Sequence, residues 1–136
     1  MKRKNTLEGN KSDPHSLEGR LALTKIVMKL FDLWELGVED QLACLGLFTG
    51  SRRTLDRYRK GAPFANHRDL MDRVGNLLAI HQSLRILYSH NREIVYRWMT
   101  TPNLAFDGLR PIDTVREKGF LGLLQVRNYL EFERER

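Results

Sequence analysis

The densest concentration of chemically useful side chains lies at residues 51–60, SRRTLDRYRK, where Arg52, Arg53, Arg57, Arg59 and Lys60 stand against a single carboxylate, Asp56. This segment carries a net +4 of the +6 borne by the whole 136-residue chain. Guanidinium groups at that density bind polyanions: an arginine donates two hydrogen bonds to guanine O6 and N7, or neutralises a backbone phosphate. Only Leu55 and Tyr58 have the apolar character to turn inward, so the other positions must project. Arg52 and Arg53 are then candidates for base edges, and Ser51 and Thr54 for a phosphate or a thymine methyl. Arg57, Arg59 and Lys60 are candidates for phosphates, which give affinity without sequence choice. The competing reading is a basic helix face that is merely solvated.

No comparable grouping points to catalysis. His15, His67, His81 and His90 form neither an HExxH pair nor a compact cluster, and no glycine-rich phosphate loop or GxSxG elbow occurs. The acidic residues are scattered over helical faces, so neither an enzyme nor a cofactor or metal is expected. His81 falls on an apolar helical stripe and is expected to be a satisfied buried histidine. The single cysteine, Cys44, excludes a disulfide within the chain, suits a reducing compartment and sits among apolar neighbours that disfavour a thiolate. The basic start, residues 1–5, is followed by no apolar stretch, and the longest charge-free run, residues 41–51, is far shorter than the roughly 20 residues that span a bilayer. A cytoplasmic protein without membrane association is expected.

The elements that must carry the basic segment follow from periodicity. With 41% hydrophobic and 29% charged residues, the chain can bury a core. Residues 1–18 read as a flexible tail. Leu23, Val27, Leu30 and Trp34, with Ile26 and Phe31 beside them, describe one helical stripe ending at Gly37, which is expected to be left-handed. A short helix from Val38 has Glu39 and Asp40 in its first turn and Leu42 and Leu45 inward. Gly46, Thr49 and Gly50 interrupt it, Ser51 is expected to cap the next helix over Arg52–Arg59, and Gly61 and Pro63 stop that one. Two short helices joined by a glycine-containing turn make a helix-turn-helix, although the turn GLFTGS is about three residues longer than the tightest spacing. Asn66 and Asp69 look like the capping arrangement of a long helix bearing Leu70, Val74, Leu77, His81, Leu84 and Leu87. Another helix opens at Asn91 and carries Ile94, Val95 and Trp98. A turn-rich loop follows, Pro111 starts a short helix ending near Gly119, and a last helix from Phe120 to about Phe132 is apolar nearly all round. No strand pattern persists, so the fold class is all-α.

The run NREIVYRWMTTPNLAFDGLRPIDTVREKGFLGLLQVRNYLEF, residues 91–132, resembles the toxin-binding domain of the Xre/MbcA/ParS antitoxin family. The likeness is carried by Trp98, Pro102-Asn103, the Phe106-Asp107-Gly108 turn, Pro111 and Gly119 before an apolar helix with Val126 and Leu130. Upstream, LALTKIVMKLFDLWELGVEDQLACLGLFTGSRRTLDRYRKG followed by NHRDLMDRVGNLLAIHQSLRILY resembles that family's Xre-like helix-turn-helix region. The resemblance implies a helix-turn-helix domain over residues 19–88 and a toxin-binding domain over 89–136. It further implies an antitoxin of a type II toxin–antitoxin pair that covers the active site of a RES-domain, NAD-targeting toxin and represses its own operon. The C-terminal helix and tail are implied to lie against the toxin. That makes Trp98, Arg127, Asn128, Glu131, Arg134 and Arg136 the toxin-binding candidates, with Arg127, Arg134 and Arg136 able to enter a pocket built for an anionic nucleotide. Trp98 reads more readily as a core anchor than as a ligand platform, and terminal residues are often frayed. Because one such unit has a small footprint, a homodimer on a two-fold operator is expected. A stand-alone regulator without a toxin, or a module whose basic helix binds an acidic protein, are the alternatives.

Overall fold

The computed structural model describes residues 13–136. Among them are seven α-helices and no strand: α1 Leu17–Leu33, α2 Val38–Leu45, α3 Arg52–Arg59, α4 Arg68–Leu87, α5 Arg92–Arg97, α6 Pro111–Lys118 and α7 Phe120–Arg134. Single 3₁₀ turns at Thr49–Ser51, Trp98–Thr100 and Leu104–Phe106 join them. The all-α expectation holds. Of the stretch expected as a tail, residues 1–12 lie outside the described residues, whereas α1 already begins at Leu17. Ser16 is its N-cap, accepting from the Gly19 N–H at 3.0 Å.

α1 buries Val27, Leu30 and Phe31, while Ile26, expected beside the stripe, is half exposed. Trp34 lies just past the helix end yet is fully buried. The expected left-handed residue is displaced. Glu35 takes φ 56°, and Gly37 is extended and caps α2. The reason is local: the Leu36 N–H donates to the Phe31 carbonyl at 3.0 Å, closing the helix two residues earlier than the glycine and dropping Leu36 into the core. The same closure recurs after α2, where Leu47 N–H reaches the Leu42 carbonyl at 2.8 Å around Gly46 at φ 71°.

The long helix α4 is capped by His67, whose Nδ1 accepts from the Leu70 N–H at 3.3 Å, and not by Asn66 as the sequence suggested. α4 is the spine. It packs most extensively on α7, and α2 and α6 also lie against each other, so both halves of the chain share one continuous buried cluster running from Val27 to Leu130. Arg73 of α4, almost wholly covered, binds Asp69 at 3.1 Å and the Ala43 carbonyl at the end of α2 at 3.2 Å, with its guanidinium 5.6 Å from the centre of the Phe120 ring. A Cβ at Gly46 would strike that guanidinium. α6 and α7 are separated only by Gly119 and fold back so closely that a Cβ on Gly122 would collide with the Thr114 carbonyl. No helix among the described residues is long and apolar enough to cross a membrane.

Two of the helical glycines make a signed prediction. Gly122→Ala forces a shift of packed backbone and should lower unfolding free energy by about 1–3 kcal/mol. Gly75→Ala, in the middle of α4 with nothing near its Cβ, should raise it by up to ~1 kcal/mol through helix propensity. Urea unfolding of the two variants beside the parent checks both signs.

Candidate functional sites

α3 is an eight-residue helix with two inward side chains, Leu55 and Tyr58, both almost fully buried as the sequence indicates. Tyr58 meets Phe64 edge to face at 4.8 Å. Phe64 is in turn fixed to α1, because its N–H donates to Thr24 Oγ1 at 2.8 Å and its carbonyl accepts from Arg20 Nη1 at 2.9 Å. The chain leaving α3 is thus stapled to the first helix, and the inward face of α3 is fully committed. The opposite face carries Arg53, Arg57 and Lys60, all exposed and in no ion pair among the described residues. Thr54 is half-buried. Ser51 belongs to the 3₁₀ turn and makes no side-chain capping bond, which corrects the expected cap: its φ of −95° and ψ of 29° are those of a turn, not the extended geometry of a capping serine.

Two of the candidate cations are engaged within the molecule. Arg59 donates to Gln41 Oε1 at 2.6 Å and pairs with Asp32 at 3.0 Å, joining α3 to α2 and to the end of α1. Gln41 is buried and held by its own bond to the Leu36 carbonyl at 2.8 Å. Arg59 therefore positions α3, its guanidinium shared between acceptors on two neighbouring helices. Arg52 pairs with Glu39 at 2.8 Å across the turn, yet its side chain remains 61% exposed. An exposed pair of that kind is weak and exchangeable, so Arg52 stays within reach of an anion. The turn also presents Phe48, 82% exposed immediately before α3, which the sequence reading did not single out. Its only signal was a large apolar residue stranded among turn formers.

In the C-terminal module, Trp98 is a core anchor: it stacks on Tyr129 at 6.2 Å and meets Phe106 edge to face at 6.0 Å, with 8% of its surface exposed. The loop ahead of α6 is closed by Asn103. Its side-chain oxygen accepts from the Ala105 N–H, and its carbonyl accepts from the N–H groups of Phe106 and Gly108. Asp107 and Gly108 are both left-handed there. The loop thereby holds Leu104 almost fully in solvent. Pro111 begins α6, and the Asp113 carboxylate returns to the Arg110 N–H at 3.0 Å and to its guanidinium at 2.8 Å, which holds the Asp113 carboxyl below its usual range.

The arginines placed by resemblance at a partner's cleft lie differently from what a free tail would give. α7 is helical through Arg134, not frayed. Arg127 binds Glu131 at 3.2 Å and Asn76 of α4 at 3.1 Å, Arg134 reaches Ser83 at 3.3 Å, and Arg136 pairs with Glu133 at 3.5 Å. Arg127 and Arg134 brace α7 on α4, whereas Arg136 pairs within the C-terminal turn itself. What α7 presents outward is a stripe at helical spacing, Leu121, Gln125, Asn128 and Phe132, all exposed. Of the residues nominated from sequence, Asn128 alone sits on that stripe. The apolar members escaped notice because α7 is hydrophobic on nearly every side, so its outward residues could not be told from its inward ones.

The buried titratable groups complete the picture. Burial pushes the Cys44 thiol up, with the Asp40 carboxylate adding to the effect, so it is an inert core residue. Asp40 is itself buried in α2 and faces Arg116 of α6 at 3.5 Å. His81 departs from expectation: it stacks on Tyr96 at 5.8 Å and meets the Trp34 edge, but its buried Nδ1 has no hydrogen-bond partner among the described residues. Burial, aided by the Arg85 charge, lowers its pKa below the ordinary 6.5.

The profile of the antitoxin Xre/MbcA/ParS C-terminal toxin-binding domain matches residues 83–135, from the last turn of α4 to the end of α7. The uncharacterized protein y4oB of Sinorhizobium fredii (strain NBRC 101917 / NGR234) is 31% identical over 124 residues, spanning 90% of this chain and 93% of that one. No solved structure matches.

His81 supplies a pH test. Its folded pKa lies below the unfolded value, so the unfolded chain binds the proton more readily. The stabilisation is complete above about pH 6.5 and is lost as pH falls beneath that value. Unfolding free energy measured from about pH 7 down to about pH 5 should decline in the parent and decline less in His81→Gln.

Proposed function

This chain belongs to the Xre/MbcA/ParS antitoxin family, and we propose that it is a DNA-binding antitoxin of a type II pair that neutralises a RES-type, NAD-targeting toxin and represses its own operon. The observation that carries the DNA arm is the outward face of α3. Arg53, Arg57 and Lys60 project together from the second helix of a helix-turn-helix whose inward face is fully occupied. Such a helix enters a major groove with its N-terminal residues foremost, which places Arg53 and Thr54 at base edges. Arg52, released from Glu39, joins them. Arg57 and Lys60 then neutralise phosphates, and Phe48 stands exposed at the entry to the turn before α3. A homodimer on a two-fold site is part of this reading, because one eight-residue helix covers too few base pairs for useful specificity.

The toxin arm rests on the family match and on α7. Its outward stripe of Leu121, Gln125, Asn128 and Phe132 pairs apolar anchors with two amides, the composition of a protein interface centre, and lies wholly within the matched region. Arg134 and Arg136 sit at the far end of the same helix, next to Phe132, where a displaced guanidinium could follow into an anionic cleft. The RES identity of the toxin is supported by the sequence likeness over residues 20–132. Neutralisation is then steric: a helix face seated over the active site, with no chemistry of its own.

The two arms are separable. Arg53→Ala with Arg57→Ala should weaken retention of the upstream operator duplex by about tenfold or more per arginine, while co-expression still protects cells from the neighbouring toxin. Asn128→Arg with Phe132→Asp should abolish protection and leave the duplex bound. Undiminished duplex binding by the arginine variant would refute the α3 assignment.

A further inference from the structure

A second cationic locus lies away from α3, at the junction of α4 and α5. Residues 73–92 contain three arginines and two histidines and not one Asp or Glu. Arg73 is consumed in the core, but Arg85 and Arg92 are exposed, and no carboxylate among the described residues pairs with either. Glu93, beside Arg92 in the chain, is turned to Arg97 at 3.0 Å. Between the two free arginines lies a concavity of about 390 Å³ lined by Arg85, Tyr88, Ser89, Arg92, Val95 and Tyr96. Arg92 is held in place, its guanidinium 5.5 Å from the centre of the Tyr96 ring, and that ring is backed on His81. Arg85 forms the opposite wall and borders a second cavity of about 510 Å³ with His81 and Gln82.

Two guanidinium groups, a serine hydroxyl and tyrosine side chains around one recess make a donor-rich, acceptor-poor site. A planar carboxylate offers two oxygens to one fork, whereas a phosphate offers three or more oxygens in different directions and a larger charge. We propose that this recess binds a phosphate group, with Arg85 and Arg92 as its cationic walls and Ser89 and Tyr88 as neutral donors. The phosphate belongs either to a nucleic-acid backbone or to a free phosphorylated compound. The site is independent of the functional reading above, since it uses neither α3 nor the outward stripe of α7.

The test uses the full chain and two probes at constant ionic strength: sodium pyrophosphate, followed by calorimetry, and a random-sequence duplex. Pyrophosphate should bind the parent, and Arg85→Gln with Arg92→Gln should weaken it about tenfold or more, with Arg85→Lys retaining much of the affinity. Arg85→Gln alone guards against misfolding, because that side chain has no hydrogen bond or ion pair among the described residues to lose; thermal unfolding without ligand should be unchanged. If the phosphate is a backbone one, the double variant also loses duplex affinity, and the slope of log K against log salt falls by about one to two. If it is a free compound, pyrophosphate binding is lost and duplex binding is not. Identical behaviour of parent and double variant toward both probes would overturn the proposal. So would dependence on these arginines of binding to polyglutamate, a carboxylate polymer, in place of pyrophosphate.

Discussion

The structure turns on a constraint of scale: an eight-residue helix that commits Leu55 and Tyr58 inward has no other way to satisfy five cations than to show them to solvent or pair them. It does both. Arg59 is bound to Asp32 and Gln41, which fixes the roll of α3 against α1 and α2, and Arg53, Arg57 and Lys60 are left outward as a consequence. Burying a guanidinium bond here serves orientation more than stability, since a half-exposed ion pair contributes little on its own. With Phe64 tied back to Thr24 and Arg20, α3 is held from both ends and its cationic face is preorganised.

The second feature is that α4 serves both halves. Its first turns pack on α2 and, through Arg73, on the start of α7. Its later turns carry Asn76 and Ser83, which hold Arg127 and Arg134. A helix shared in this way makes the face of α3 and the outward stripe of α7 parts of one body and not beads on a linker. Asp40 and Arg116 add a direct contact between the helix-turn-helix and α6. The family match begins at residue 83, inside α4, so the toxin-binding module includes the end of the spine that the N-terminal half also packs on.

What could be read in the sequence was what local pattern dictates. The limits of α2, α3 and α6 followed from abrupt changes between apolar and charged residues and from Gly46 and Pro111, and the inward pair of α3 followed from its being the only apolar pair available. The places where reading failed depend on distant partners or on competition between near-equivalent caps. Arg59 looked like any other cation because Asp32 and Gln41 lie 27 and 18 positions away. Glu35 displaced Gly37 because Leu36 had to enter the core, and His67 displaced Asn66 by a single residue. On α7 the near-uniform hydrophobicity hid the outward stripe, and the bonds of Arg127 to Asn76 and of Arg134 to Ser83, each 51 positions away, left no local trace.

In the proposed function, nucleic acid meets this molecule at α3 and its preceding turn. Amide chemical-shift mapping of the full chain, titrated with a duplex from immediately upstream of its own reading frame, tests it most directly. The account predicts the largest perturbations over residues 48–60, with the α7 stripe of Leu121, Asn128 and Phe132 unmoved. Silence across residues 48–60 while the duplex is demonstrably bound would contradict it.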